Sequence, residues 1–237
     1  TIDRLTNSTF HLGVGTGENM NEGPLGYTFP KYDERASRMK EALTIIRRLL
    51  DGEKLDFEGE FYNTKGAKLY SPPVSSVPIW LAAGGPKSSM LAAEYADGLM
   101  ISVKNPEDAY ERVINPAKTR TDELEKSKLR VHTYRWTMFA DNDEDAWESL
   151  KSWRGLRAPN RLQEIDPQAL REQADSLPKD EIMAKFSRAG TVDELVDIYS
   201  PLVKEFGSEI VTIQISSVNQ EETIKLLGEE LLPKLKK

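Results

Sequence analysis

The sequence predicts an α/β fold of the TIM (β/α)8-barrel kind, a parallel sheet under helical cover. Three observations predict it. Apolar strand-like runs alternate with amphipathic helical runs about five times, the order expected of a parallel sheet. Strand runs end in Gly, Ser or Thr followed by a polar loop, and β/α barrels build their sites from such strand ends. The 237 residues approach the roughly 250 of a whole barrel, yet about five units leave roughly three unaccounted for. Either the barrel is incomplete or its first part lies outside this chain, which begins at Thr1 rather than Met. The expected organisation is one partial barrel domain over residues 1–237, roughly units 4 to 8 of such a barrel.

The elements follow in order. Thr9 to Gly15 (TFHLGVG) is a short apolar run closed by glycine, which suits a buried strand as the first element. From Lys31 to Asp51, residues Tyr32, Ala36, Met39, Leu43, Ile46 and Leu50 share a helix face, and Gly52 stands where a helix-ending glycine belongs. Residues 53–73, rich in aromatics and turn formers, predict a hairpin-like excursion. Val77 to Gly85 (VPIWLAAGG) reads as a strand, and Pro86 opens a helix through Tyr95. Asp97 to Val103 is a strand, Pro106 to Lys126 a helix, and Leu129 to Ala140 a strand by its alternation. Asp141 to Trp153 starts with acidic residues and Asn, as a helix does. Residues 154–187 form a polar insertion of short helices and loops. Thr191 with Glu194 is a capping-box signal for a helix to Phe206. Glu209 to Ser217 is a strand, and Glu221 to Leu235 a closing helix. Trp80 and Trp136 are expected in the core, Trp147 and Trp153 in helix packing, and His132 in a structural hydrogen bond.

Composition excludes several chemistries. Without cysteine there are no disulfides, thiolate metal sites or cysteine nucleophile. The two histidines, His11 and His132, are far apart in sequence, so no metal site is expected. A net charge of −7 disfavours general nucleic-acid binding but leaves room for a local basic pocket that takes a small anion. No run of about 18 apolar residues offers a membrane span, and the opening TIDRLTNSTF lacks the pattern of a signal peptide. A cytoplasmic location is expected.

Two loops carry the candidate chemistry. The first, HLGVGTGENMNE over His11 to Glu22, spaces Gly13, Gly15 and Gly17 at every second position and places Glu18 directly after them. It is neither a Walker loop nor a dinucleotide fingerprint, and taken alone it is a tight turn. The second, Ala82 to Ser88 (AAGGPKS), joins a strand to a helix start, where free amides suit an anion and Gly84 and Gly85 let a ligand touch the backbone. On successive parallel strands, both loops would face one barrel mouth.

HLGVGTGENMNE, RMKEALTIIRRLLDGE, FEGEFYNTKGAKLYSPP, VPIWLAAGGPKS and EYADGLM, in this order, resemble the luciferase-like superfamily of barrel oxidoreductases. Within it they are most similar to the group of glucose-6-phosphate dehydrogenases that use the deazaflavin coenzyme F420. The resemblance runs over essentially the whole chain and is densest from Phe10 to Met100. It implies a luciferase-like barrel with the deazaflavin across its C-terminal mouth. Thr16, Gly17 and Asn21 would contact the coenzyme from the first loop, and Gly84, Gly85 and Lys87 from the second. Glu18 matches a glutamate that protonates the ring nitrogen as hydride arrives, a role that needs burial to raise its pKa. The sugar-phosphate pocket would use Lys104, Arg161 and Lys185, with Ser102 beside the first. Lys and Arg are swapped at the last two, and a planar fork and a point charge grip phosphate differently. The family's base, a histidine preceded by aspartate, has no counterpart, since the chain contains no Asp-His pair.

The resemblance thus implies hydride transfer from a sugar phosphate such as glucose-6-phosphate to coenzyme F420, in a homodimer with small-molecule partners only. Two alternatives keep the class: an F420-dependent alcohol dehydrogenase, and an FMN-dependent monooxygenase. A third reading is a truncated barrel that binds a ligand or associates with itself without turnover.

Overall fold

The computed structural model describes residues 1–7 and 10–236. They form two compact units. One comprises Thr1–Gly17, Pro30–Met100 and Glu111–Arg130, the other Glu18–Phe29, Ile101–Tyr110 and Val131–Lys237.

In the first unit a short helix, Ile2–Leu5, precedes any strand, so the expectation that a strand comes first is corrected. Asp3 explains the helix's position: its buried carboxylate accepts from the Val74 amide at 2.9 Å. Strand β1 is only Leu12–Val14 and is half-exposed, against the expected buried strand; Thr9 lies outside the described residues. β1 lacks a second neighbour to cover it: among the described residues its one partner is β4 (Ile79–Ala82), in parallel, with Leu12 opposite Ile79 and Val14 opposite Leu81.

The Tyr32–Leu50 helix forms where its apolar spacing predicts. Asp33 and Glu34 in its first turn and Arg47 and Arg48 in its last complement the helix dipole. Gly52 ends it at φ +84°, with its amide on Leu49 at 3.1 Å. The excursion is a hairpin: β2 (Leu55–Glu58) and β3 (Asn63–Ala67) pair antiparallel, with a bulge between Leu55 and Phe57. The Glu41 carboxylate, reaching from the long helix, accepts from the amides of Glu60, Phe61 and Tyr62 across its turn. β4 leads into the Pro86–Tyr95 helix and pairs in parallel with β5 (Gly98–Ser102), Trp80 opposite Gly98. Leu43, Ile79, Leu81 and Leu99 are wholly buried there, each contributing about 1.5–3 kcal/mol.

The predicted Pro106–Lys126 helix is interrupted. An α-turn at Pro106–Ala109 passes through a π-helical stretch at Tyr110–Ile114 before the α-helix Asn115–Glu123. Pro116 has no amide hydrogen for the carbonyl of Arg112, and the wider turn absorbs the defect. The closing helix is likewise split into Gln220–Leu226, a π stretch at Leu227–Leu231 and Leu232–Leu235, with Pro233 in its final turn.

The second unit is organised on β6 (Arg130–Phe139). It pairs in parallel with β7 (Ser187–Ala189) from Thr137 to Phe139 and with β8 (Ile210–Ser216) from His132 to Met138. β7 was not expected. Its core packs Met138, Ala146, Leu150, Leu170, Ile182 and Phe186, with Trp136 and Met20 against it. The helix expected from Asp141 to Trp153 runs only from Asp143 to Ser149, capped by the Asn142 side chain on the Asp145 amide. Trp153 therefore lies outside it, exposed, its ring edge-on to Trp136 at 5.0 Å. The insertion holds short helices at Pro167–Asp175 and Lys179–Met183. The Thr191 capping box opens the Val192–Lys204 helix as expected.

Candidate active site

In the first unit the two glycine loops follow paired parallel strands, β1 and β4. Gly17 is the one glycine of the first loop in the left-handed region, at φ +85°, a conformation that glycine adopts at no steric cost. The turn is fastened by Arg35 of the long helix. Its Nη1 donates to the Thr16 carbonyl at 3.3 Å, the Thr16 hydroxyl at 3.2 Å and the Gly17 carbonyl at 3.4 Å. In the second loop the expected free amides are not free: those of Gly84 and Gly85 donate to Ser88 Oγ at 3.1 and 3.2 Å. A serine three residues inside the helix serves the loop as an internal anion would. What is open is the α-carbon face: a Cβ at Gly84 or Gly85 would meet nothing within 4 Å. Lys87 is exposed and donates to Asp33 at 2.6 Å, which raises its pKa.

In the second unit Glu18 caps a short helical turn, Asn19–Glu22. Three contacts seat this turn. Met20 packs on the core, Asn19 Nδ2 donates to the Gln163 carbonyl at 2.7 Å, and Gly23 lies so close to Ile165 that a Cβ would sit 2.6 Å from its Cγ2. Asn21 is exposed on the same turn. Glu18 does not have the burial its expected role requires: its side chain is 46% exposed, and Arg161 Nη2 donates to its Oε1 at 2.7 Å. The pair borders Tyr134 of β6, whose pKa is raised by burial and then by the Glu18 charge, with Arg161 acting in the opposite sense.

Arg161 also faces a cavity of about 800 Å³ within this unit. Lys104, Arg135, Arg157, Arg161, Lys185 and Arg188 line it, and among the described residues no carboxylate lies on its wall. Lys104 follows β5, Arg135 stands mid-strand on β6, and Arg188 lies on β7. Burial, then the charges of Arg157 and Arg161, lower the pKa of Lys104. Burial, then the charge of Arg161, does the same to Arg157. The Arg157 guanidinium lies over the Phe186 ring at 4.8 Å, and the buried Nε atoms of Arg157 and Arg161 have no hydrogen-bond partner. Arg135 is better served, with Nε on Ser187 Oγ at 2.7 Å and Nη1 on the Ile198 carbonyl at 3.4 Å.

The structure therefore brings Lys104, Arg161 and Lys185 to one wall and joins Glu18 to it through Arg161. Ser102 ends β5, exposed, and is not among the lining residues. Sequence reasoning missed Arg135, Arg157 and Arg188. A cation in the middle of the apolar β6 run was the available signal for Arg135. His132 has the structural bond expected of it, Nε2 to Thr212 Oγ1 at 2.7 Å. Among the described residues no group of acids and histidines could hold a metal ion, and no helix is long and apolar enough to cross a membrane.

Glycine turns at the ends of parallel strands in one unit and a cation-walled cavity in the other are features of a β/α fold that carries its chemistry in loops after strands. The chain belongs to the luciferase-like monooxygenase family, whose model matches residues 1–207. Among named relatives it is 31% identical over 232 residues to the F420-dependent glucose-6-phosphate dehydrogenase of Nakamurella multipartita, covering 95% of this chain and 68% of that protein. It is 32% identical over 239 residues to the protein of the same name from Microbacterium testaceum, again covering 95% and 68%. A solved F420-dependent secondary alcohol dehydrogenase, in complex with an F420-acetone adduct, is similar with a TM-score of 0.88 and 25% identity, covering 99% of this chain and 72% of that one. The coenzyme F420-dependent tetrahydromethanopterin reductase of Methanopyrus kandleri has a TM-score of 0.77 at 22% identity, covering 98% and 76%, a likeness of fold. The expected α/β parallel-sheet fold of the luciferase-like barrel type is thus the fold of this chain.

Proposed function

We propose that this chain is an F420-dependent oxidoreductase that takes a phosphorylated sugar such as glucose-6-phosphate. The observation that carries the substrate class is the cation wall in a chain of net charge −7. The named relatives support the coenzyme, and the open backbone faces of Gly84 and Gly85 fit it, because a flat ring system needs an approach that a Cβ would block. Thr16, Gly17, Gly84, Gly85 and Lys87 would hold the coenzyme, with Asn21 on the following turn. When bound, the deazaflavin supplies the hydride acceptor.

The chain's own residues supply binding and proton control. Lys104, Arg161 and Lys185 take the phosphate, and Ser102 borders Lys104. Glu18 is the proton donor by family resemblance, and because its Oε1 accepts from Arg161 in the ligand-free chain, the role requires Arg161 to release it. A phosphate oxygen on the same guanidinium provides that release. The chain contains no Asp-His pair to act as base, so binding and turnover are tested separately.

Oxidised coenzyme F420 is titrated into the purified chain by fluorescence, then glucose-6-phosphate is added and the ring absorbance followed. Coenzyme binding with loss of oxidised absorbance supports the full reading, and binding without reduction supports a ligand-binding chain without turnover. Absence of coenzyme binding overturns the coenzyme assignment. Arg161→Ala and Lys185→Ala are expected to lose glucose-6-phosphate dependence while keeping coenzyme affinity. A second reading, oxidation of a simple alcohol, is favoured by the backbone similarity to the alcohol dehydrogenase. It leads if both variants are indifferent to phosphate on the substrate.

A further inference from the structure

The cavity holds more cationic charge than one phosphate needs. Arg161, Lys185 and Arg188 have carboxylate partners, namely Glu18, Glu181 and Asp143. Lys104, Arg135 and Arg157 form no ion pair among the described residues, although all three line the same wall. A phosphate monoester carries roughly −1.5 to −2 at neutral pH. Against three uncompensated cations it leaves roughly one positive charge unmatched.

The unmatched charge has a location. Arg157 has its guanidinium carbon over the Phe186 ring at 4.8 Å and a buried Nε without a partner. A guanidinium so placed is committed to its position, yet its in-plane donors are unspent. Arg135 sits on the rigid β6 strand and is held at Nε by Ser187 and at Nη1 by Ile198, which leaves Nη2 with donors to give. Burial makes an unsatisfied donor on a charged group costly, and a ligand oxygen removes that cost. Planar forks fit a two-oxygen anion in the plane of the guanidinium.

We propose that the cavity recognises two anionic groups on one small ligand: a phosphate at Lys104, Arg161 and Lys185, and a second anionic oxygen group at Arg157 and Arg135. The ligand class is a sugar phosphate that also bears a carboxylate or a second phosphate. The inference rests on the proposed phosphate site for its first half, and adds Arg157 and Arg135 as the residues that read the second group.

Isothermal titration of the full chain with glucose-6-phosphate, 6-phosphogluconate and glucose-1,6-bisphosphate tests it. The expected result is that at least one doubly anionic ligand binds about tenfold tighter than glucose-6-phosphate, as one added charge-assisted contact supplies. The carboxylate and bisphosphate arms identify which second group is read. Arg157→Gln is expected to erase that preference and leave glucose-6-phosphate affinity within about threefold; Arg157→Lys, which keeps the charge, retains part of it. Equal binding of all three ligands by the unaltered chain overturns the second site alone. Failure of glucose-6-phosphate to bind, with Arg157 intact, overturns the phosphate reading and this one with it. The wild-type comparison decides the matter even if the variants fold poorly.

Discussion

Lys104 shows how one side chain's surroundings turn into a measurable dependence on pH. Burial and two neighbouring guanidinium groups lower its pKa from the usual 10.5. Lys104 therefore loses its proton, and with it the charge an anion would need, at a lower pH than an ordinary lysine does. If the wall takes phosphate as proposed, phosphate affinity measured by calorimetry is expected to begin falling at a lower pH than the 10.5 of an ordinary lysine, and Lys104→Arg to hold it constant there. The sign for folding is opposite. As pH rises toward 10.5 the unfolded chain keeps more protons at this lysine than the folded one, so the stability of the ligand-free protein rises with pH. His132 gives a second case. Burial lowers its pKa from 6.5 while Nε2 faces Thr212, so below about pH 6.5 the unfolded chain takes a proton that the folded one resists. Stability falls as the solution is acidified, and His132→Gln is expected to flatten that part of a urea-midpoint against pH curve.

Elements depend on a few close approaches. On β5 a Cβ at Gly98 would sit 2.5 Å from the Trp80 ring and 3.0 Å from the Arg130 carbonyl, and the Arg130 guanidinium also meets that indole, at 4.8 Å from its centroid. Gly98→Ala is expected to cost about 1–3 kcal/mol in denaturant unfolding, and the penalty to shrink when Trp80 is also replaced by Leu. On the Val192–Lys204 helix, Tyr199 is fully buried, its hydroxyl donating to the Arg135 carbonyl at 2.8 Å and lying 3.0 Å from Thr137 Oγ1. Burial pushes its pKa up to about 12. Tyr199→Phe is expected to cost about 1–3 kcal/mol, and because Arg135 loses support, to weaken doubly anionic ligands more than glucose-6-phosphate. Local signals made most elements legible. Thr191 and Glu194 announced their helix because a cap is a matter of adjacent residues. β7 could not be announced: Ser187, Arg188 and Ala189 have no apolar pattern, and they form a strand only because β6 offers them an edge. The π stretches were equally hidden, since a proline shows where a helix is stressed but not whether it stops or widens.

For the molecule as a whole, charge is the readable quantity and its placement is not. A balance of −7 sets an acidic protein, and nothing along the chain says which of 32 basic residues share a wall. Lys104, Arg161 and Lys185 were legible through family resemblance; Arg135 and Arg157 required the fold. Gathering like charges raises the energy of the empty folded state, and an anion lowers it by mass action. Inorganic phosphate is expected to raise the thermal midpoint by a few degrees at a concentration of about 100 Kd, where sodium chloride of equal ionic strength does not. The Glu18–Arg161 pair has an implication of its own. If Arg161 takes the phosphate as proposed, an arriving anion and the protein's own carboxylate are rivals for one guanidinium, and resident Glu18 acts as a competitive inhibitor covalently built into the chain. Glu18→Gln is therefore expected to bind phosphate several-fold more tightly than the natural chain, and any loss of turnover in that variant would come with gained affinity.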